Sequence, residues 1–164
     1  MTRTEQPYDG SGPDRKLLRA LRGAVERAAS EDSLPGLAAV YLYGSGARRE
    51  RTLLSDVDLA VLFAEDASEE MRWEELPAFG SAVARALLEV RGERVDVDVH
   101  DLEALPLAVQ GRVLTEGTLV CSRNEERRVR FEERTRRRYF DFLPFERTDT
   151  AEGLRALKER FGRG

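Results

Sequence analysis

Leu37-Ala38-Ala39-Val40-Tyr41-Leu42-Tyr43-Gly44-Ser45, followed after ten residues by Asp56-Val57-Asp58-Leu59-Ala60-Val61-Leu62-Phe63, is the stretch on which the reading of this chain turns. Its first run has strand length and aromatic and β-branched content, and Gly-Ser-Gly stops it, so a buried strand is expected. Where that strand breaks at Gly44 and turns into a short helix near 47–50, backbone N–H groups and a helix N-terminus can face an anion. Gly44 has no Cβ to keep a phosphate oxygen off the main chain, and the Ser45 hydroxyl adds a donor.

Asp56 and Asp58 open the second run two residues apart, so on a strand they share a face and lie within about 7 Å of each other. Like charges at that spacing repel and raise one another's pKa unless a divalent cation neutralises them, and hard oxygen donors suit Mg²⁺ bridged to phosphates. The pair alone is a short pattern that equally serves to solvate a strand end. A third acid changes the balance. Arg94-Val95-Asp96-Val97-Asp98-Val99-His100 alternates with period two, a further strand whose polar face carries Asp96, Asp98 and His100. Placed beside the Asp56/Asp58 strand, one of its carboxylates completes a cluster able to hold two metal ions. His100, the single histidine, reads as a hydrogen-bonded bystander at a strand end.

The order Gly-Ser, ten residues, Asp-x-Asp, then an acid in an apolar strand resembles the polymerase-β-type nucleotidyltransferase superfamily, and within it the minimal nucleotidyltransferase branch of antitoxins that accompany HepT toxins. Gly44-Ser45-Gly46-Ala47-Arg48-Arg49 stands where the family typically reads G-S-x-A-R-G, and Ser55-Asp56-Val57-Asp58-Leu59-Ala60-Val61 where it reads S-D-x-D-L-A-V. Gly46 replaces a frequent arginine and Arg49 a frequent glycine. Val113 to Val120 is similar to a family helix that ends in glycine before a short strand, and Tyr139-Phe140-Asp141-Phe142 to an aromatic C-terminal signature, so the resemblance spans 37–144. It implies an α/β (α+β) nucleotidyltransferase fold, a mixed sheet flanked by helices with a long C-terminal helix. It further implies Asp56, Asp58 and Asp96 as catalytic and metal-binding acids, with Asp96 fitting better than Asp98. Gly44, Ser45 and Arg48 are implied as nucleotide contacts, with two Mg²⁺ ions as cofactors and ATP as substrate. The implied reaction is transfer of AMP to a hydroxyl, tyrosine by expectation, of a HepT-like toxin partner. Two other readings stay open: an antitoxin that acts by binding alone, and a nucleotidyltransferase for small molecules of the aminoglycoside kind. The latter usually has an extra helical domain, for which the ~65 residues after Asp96 are few.

Composition agrees with one globular core: 164 residues, 41% hydrophobic and 35% charged. No apolar run approaches the ~20 residues of a membrane span, and 1–13 lacks a signal-peptide centre, so a cytoplasmic protein is expected. Cys121 is the single cysteine and reads as a small core residue. The net charge of −4 offers nucleic acid no global attraction. Arginines concentrate between Arg123 and Arg138, but Glu126/Arg130, Glu132/Arg136 and Glu133/Arg137 are i,i+4 pairs with the acid first, the pattern of a solvated helix face. Direct nucleic-acid binding is therefore ranked behind a protein partner, in a homo- or hetero-oligomer.

A tail over 1–13, a domain over 14–145 and an amphipathic tail over 146–164 describe the organisation. A first helix is expected from Leu17, Leu21, Ala24 and Ala28. Pro77 opens a second, with Phe79, Val83, Leu87 and Val90 facing the sheet and Gly92 as its stop. A third helix covers 105–116 and a strand 118–121. Ser122 with Glu125 forms a capping box for a long helix that ends at Pro144, and Leu154, Leu157 and Phe161 mark a separate helix.

Overall fold

A computed structural model of the chain describes residues 15–30, 36–44 and 56–161, with side chains as far as Pro144. The elements run α1 (Arg15–Ser30), β1 (Leu37–Tyr43), β2 (Val57–Phe63), α2 (Glu69–Arg91), β3 (Val97–Asp101), a 3₁₀ turn (Leu102–Ala104), α3 (Leu107–Glu116), β4 (Thr118–Ser122) and α4 (Glu125–Phe161). One sheet has the order β3-β2-β1-β4. β1 is antiparallel to both neighbours, whereas β2 and β3 are parallel and joined by α2.

The period of two in each strand sorts the core into two layers. Val57, Leu59, Val61 and Phe63 of β2, with Val40 and Leu42 of β1, face α1 and α2, against Leu21, Val25, Phe79, Val83 and Leu87. Tyr41, Ala60 and Leu62 face the other way, against Val113 and Leu114 of α3 and Phe131 of α4. Each fully buried Phe or Leu in these layers stabilises by about 1.5–3 kcal/mol. Fold class and strand assignments follow the sequence reading; the helix ends depart from it. α2 starts eight residues before Pro77 because Ser68 accepts a hydrogen bond from Met71 N at 3.3 Å and Glu69 and Glu70 favour the first turn. Pro77 lies inside the helix and forfeits only the bond to the Trp73 carbonyl. Gly92 ends the helix at φ 69°, as expected, but Val90 is 56% exposed and does not face the sheet.

Pro144 likewise lies inside α4, which runs on to Phe161 as one helix: a proline removes a single donor, and no capping residue precedes it to accept the break. The side chains of Leu154, Leu157 and Phe161 lie outside the described residues. At the start of α4 the cap is Asn124, whose Oδ1 accepts from Arg127 N at 3.0 Å, while the Ser122 hydroxyl donates to Glu125 Oε2 and accepts no backbone N–H bond among those described. Cys121 is half-buried at the edge of the α1/α2 layer.

Ion pairs hold α4 on the sheet. Arg127 is 3% exposed, donates from Nε to the Phe63 carbonyl at 3.1 Å and pairs with Glu103 at 2.7 Å. Tyr41 donates to Glu132 at 2.7 Å, and Glu132 also pairs with Arg128 at 2.6 Å and Arg136 at 3.0 Å. Burial first, then the Glu132 carboxylate, push the Tyr41 phenol far above its ordinary pKa, so it remains a donor. The expected Glu126–Arg130 and Glu132–Arg136 pairs form; Glu133–Arg137 does not, among the described residues.

Candidate active site

The layered packing stops short of one end of the sheet. There the face that buries Ala60 and Leu62 continues as Asp58 on β2, and α3 and α4 no longer cover it. Asp58 is half-buried, and Asp56, just before β2, is exposed. The parallel register sets Asp58 opposite Asp98 and Ala60 opposite His100, so Asp98 and His100 share the Asp58 face. Asp96 stands one step before β3, exposed, with its carbonyl accepting from Val57 N at 2.8 Å. The sequence reading preferred Asp96 as the acid beside the Asp-x-Asp pair; the acid registered against Asp58 is Asp98. The two acids are alike in sequence, and only the strand register separates them.

β1 delivers the opposite wall. Tyr43 is registered against Asp58, and Gly44 follows at φ +70°, in the left-handed region that glycine enters without strain. A Cβ on Gly44 would lie 2.6 Å from Asp58 Oδ2, so the bare Cα is what admits the carboxylate. The glycine expected to cradle phosphate thus touches the metal-ligand candidate directly. Ser45 and Arg48, the other expected nucleotide contacts, lie outside the described residues. Beside Gly44 a cleft of about 200 Å³ opens between the end of β1 and α3, with Arg112 and Glu116 on its rim.

The electrostatics follow from this crowding. Burial raises the pKa of Asp58, and Asp98 raises it further, with a smaller push from Asp56; His100 opposes them. Tyr43 is pushed up to about 12 by burial and by the Asp58 and Asp98 charges, so its phenol stays neutral. His100 Nε2 lies 2.9 Å from Asp98 Oδ2, and its ring meets Tyr43 edge-on at 6.4 Å. These two residues were not expected in the site: Tyr43 reads as a core aromatic, and His100 acquires its place only when β3 docks on β2. Among the described residues no three His, Cys, Asp or Glu side chains converge into a ready metal cage. Behind the acids, Asp101 caps the 3₁₀ turn by accepting from Glu103 N at 3.0 Å and pairs with Arg72 at 3.1 Å, which anchors the far end of β3.

A four-stranded mixed sheet that gathers a glycine turn, an Asp-x-Asp pair and an acid of the neighbouring parallel strand at one open end has the architecture of a nucleotidyltransferase. The chain belongs to the polymerase beta nucleotidyltransferase family, whose profile matches residues 29–126. It is 29% identical over 104 residues, 63% of its length, to the protein adenylyltransferase MntA of Shewanella oneidensis, and spans 61% of that relative. Its fold is that of a solved toxin–antitoxin with AMP-PNP (TM-score 0.56, 24% identity, 81% of this chain and 97% of the other). It is also that of a structure of the tri-AMPylated Shewanella oneidensis HEPN toxin in complex with MNT antitoxin (TM-score 0.53, 23% identity, 84% and 98%). At these identities the structural likeness establishes the fold. No helix among the described residues is long and apolar enough to cross a membrane.

Proposed function

We propose that the protein is an antitoxin that transfers AMP from ATP to a hydroxyl of a HepT-like toxin in the cytoplasm. The observation that carries this is the registered pair Asp58/Asp98 at the open sheet end with Gly44 against Asp58. The curated MntA relative, a protein adenylyltransferase, and the structural likeness to an antitoxin held with an AMPylated toxin support the nucleotide and the acceptor class.

In the reaction the acceptor oxygen bonds to the α-phosphorus of ATP, the bond to the bridging oxygen breaks, pyrophosphate leaves, and the hydroxyl proton is lost. Ser45 and Arg48, which follow Gly44 in the sequence, are the side chains proposed to donate to the phosphates. Asp56, Asp58 and Asp98 are the hard-oxygen set suited to Mg²⁺, and the pKa of Asp58, raised by burial first and then by the Asp98 charge, marks a carboxylate whose ionised form a cation would favour. Bound there, Mg²⁺ would neutralise the phosphates and make the attacking hydroxyl more acidic. Asp98 lies on the strand farthest from β1, on the acceptor side, and His100 holds its Oδ2. Tyr43, registered against Asp58 and kept neutral by burial and by the Asp58 and Asp98 charges, adds no charge beside the acids.

The binding-only reading relied on the arginine-rich helix and on the tail with Leu154 and Phe161; of the arginines, Arg127, Arg128 and Arg136 are engaged with Glu103, Glu125 and Glu132 within the chain, and the tail side chains lie outside the described residues. The test is incubation with each labelled nucleoside triphosphate, Mg²⁺ and the protein encoded by the adjacent reading frame, with mass analysis of that protein. An AMP adduct on one of its hydroxyls is expected from ATP alone; an unmodified partner that is nonetheless neutralised overturns the reading.

A further inference from the structure

The acceptor side of the site is an open strand edge. β3 pairs with β2 alone, so among the described residues its second edge has no partner strand. Val57 N donates to the Asp96 carbonyl, and the parallel ladder alternates, so Asp96, Asp98 and His100 direct their main-chain groups at β2 while Val97 and Val99 direct theirs outward. Nothing in Val97–Asp101 blunts this edge with proline, lysine or a bulge. Along it lie two open clefts of about 710 and 480 Å³, both lined by Trp73, Leu76 and Val99. Trp73 is 76% exposed, an uncommon state for the only tryptophan of a chain. Gly80 lets α2 approach β3 closely, since a Cβ there would meet Val99 Cγ2 at 3.0 Å, and so the clefts have a firm apolar floor beside the strand.

We propose that the acceptor segment of the partner protein docks here as an added strand beside β3, the main chain bonding to Val97 and Val99; this rests on the nucleotidyl-transfer reading above. Period two then fixes the chemistry of the segment. A residue opposite Asp98 points to the catalytic face, its Cβ about 5 Å from that of Asp98. Its two neighbours point to the α2 side, against Val97, Val99, Leu76 and Trp73. The segment is therefore apolar–hydroxyl–apolar, and the residues two places from the hydroxyl share the face of Asp96, Asp98 and Asp56, where a basic side chain is favoured and an acidic one repelled. The same acids argue against a second copy of this chain as occupant: pairing two β3 edges sets aspartates against aspartates.

The probe is the blocked peptide acetyl-Arg-Val-Tyr-Val-Arg-amide with the full-length protein, ATP and Mg²⁺, read by label transfer and by residue-resolved amide exchange. With saturating peptide the Val97 and Val99 amides exchange about tenfold more slowly, while Asp98 and His100, already bonded to β2, change little. Trp73→Ala, a surface change that the fold tolerates, raises the peptide KM about tenfold and leaves the KM for ATP unchanged. Peptide labelled with unaltered Val97 and Val99 exchange refutes edge docking and leaves the transferase reading standing. Protection at Val97 and Val99 with no label transferred does the reverse. The absence of both protection and label overturns the proposal.

Discussion

Replacing Gly44 by alanine tests the contact on which the site is built. The added methyl meets Asp58 Oδ2 at 2.6 Å and Asp58 Cγ at 3.5 Å, closer to the oxygen than any stable contact, so the carboxylate must swing away or the turn must open. Holding alanine at φ +70° costs roughly 1–2 kcal/mol on its own. For a chain of this size that is a fall of about 2–8 °C in Tm. The larger effect is on transfer, since about 1 Å of misplacement at a reacting centre costs on the order of 10²-fold in rate. Label transfer from ATP to the toxin and scanning calorimetry read the two effects separately. In an Asp58→Ala background the steric part disappears, and Gly44→Ala then costs only the backbone part. A Gly44→Ala protein with wild-type transfer and unchanged Tm would refute the claim that the bare Cα positions Asp58.

Other perturbations follow from the same geometry. Asp58→Asn abolishes transfer yet raises the Tm of the metal-free protein at neutral pH. The folded-state pKa of Asp58 lies above its ordinary value of 3.8, so ionisation is penalised in the fold; the penalty is absent below that value and grows as pH rises through the raised pKa. The gain in Tm should therefore vanish in acid, and a gain independent of pH would contradict the assignment. Gly111→Ala drives a methyl into the Tyr139 ring, where α3 crosses α4, and should cost about 1–3 kcal/mol, read as a lowered midpoint in urea. Adding Tyr139→Ala should return part of that loss.

The apolar runs at 37–43 and 57–63 and the period of two at 94–100 were sufficient to name the three motif strands, because strands buried on one or both faces leave their pattern in the residue types. Gly92 and Gly117 were equally plain as punctuation. The choice between Asp96 and Asp98 was not legible: both occupy the same face of the same strand, and a shift of two residues in the β2/β3 register exchanges them without moving an apolar residue from its layer. Tyr43 and His100 enter the site for a similar reason, since Tyr43 meets Asp58 and His100 only across strands. Pro77 and Pro144 misled in the opposite direction: the local rule that proline opens or ends a helix gave way to the packing of Phe79, Val83 and Leu87 in one case and to a long uninterrupted helix in the other.

The register makes the most direct test available. Transfer of labelled AMP from ATP to the intact toxin should fall by 10²-fold or more, on the order found when a group that stabilises the transition state is removed, in Asp98→Asn, while Asp96→Asn stays within about threefold of wild type. Loss of transfer in Asp96→Asn with Asp98→Asn unimpaired would contradict the account.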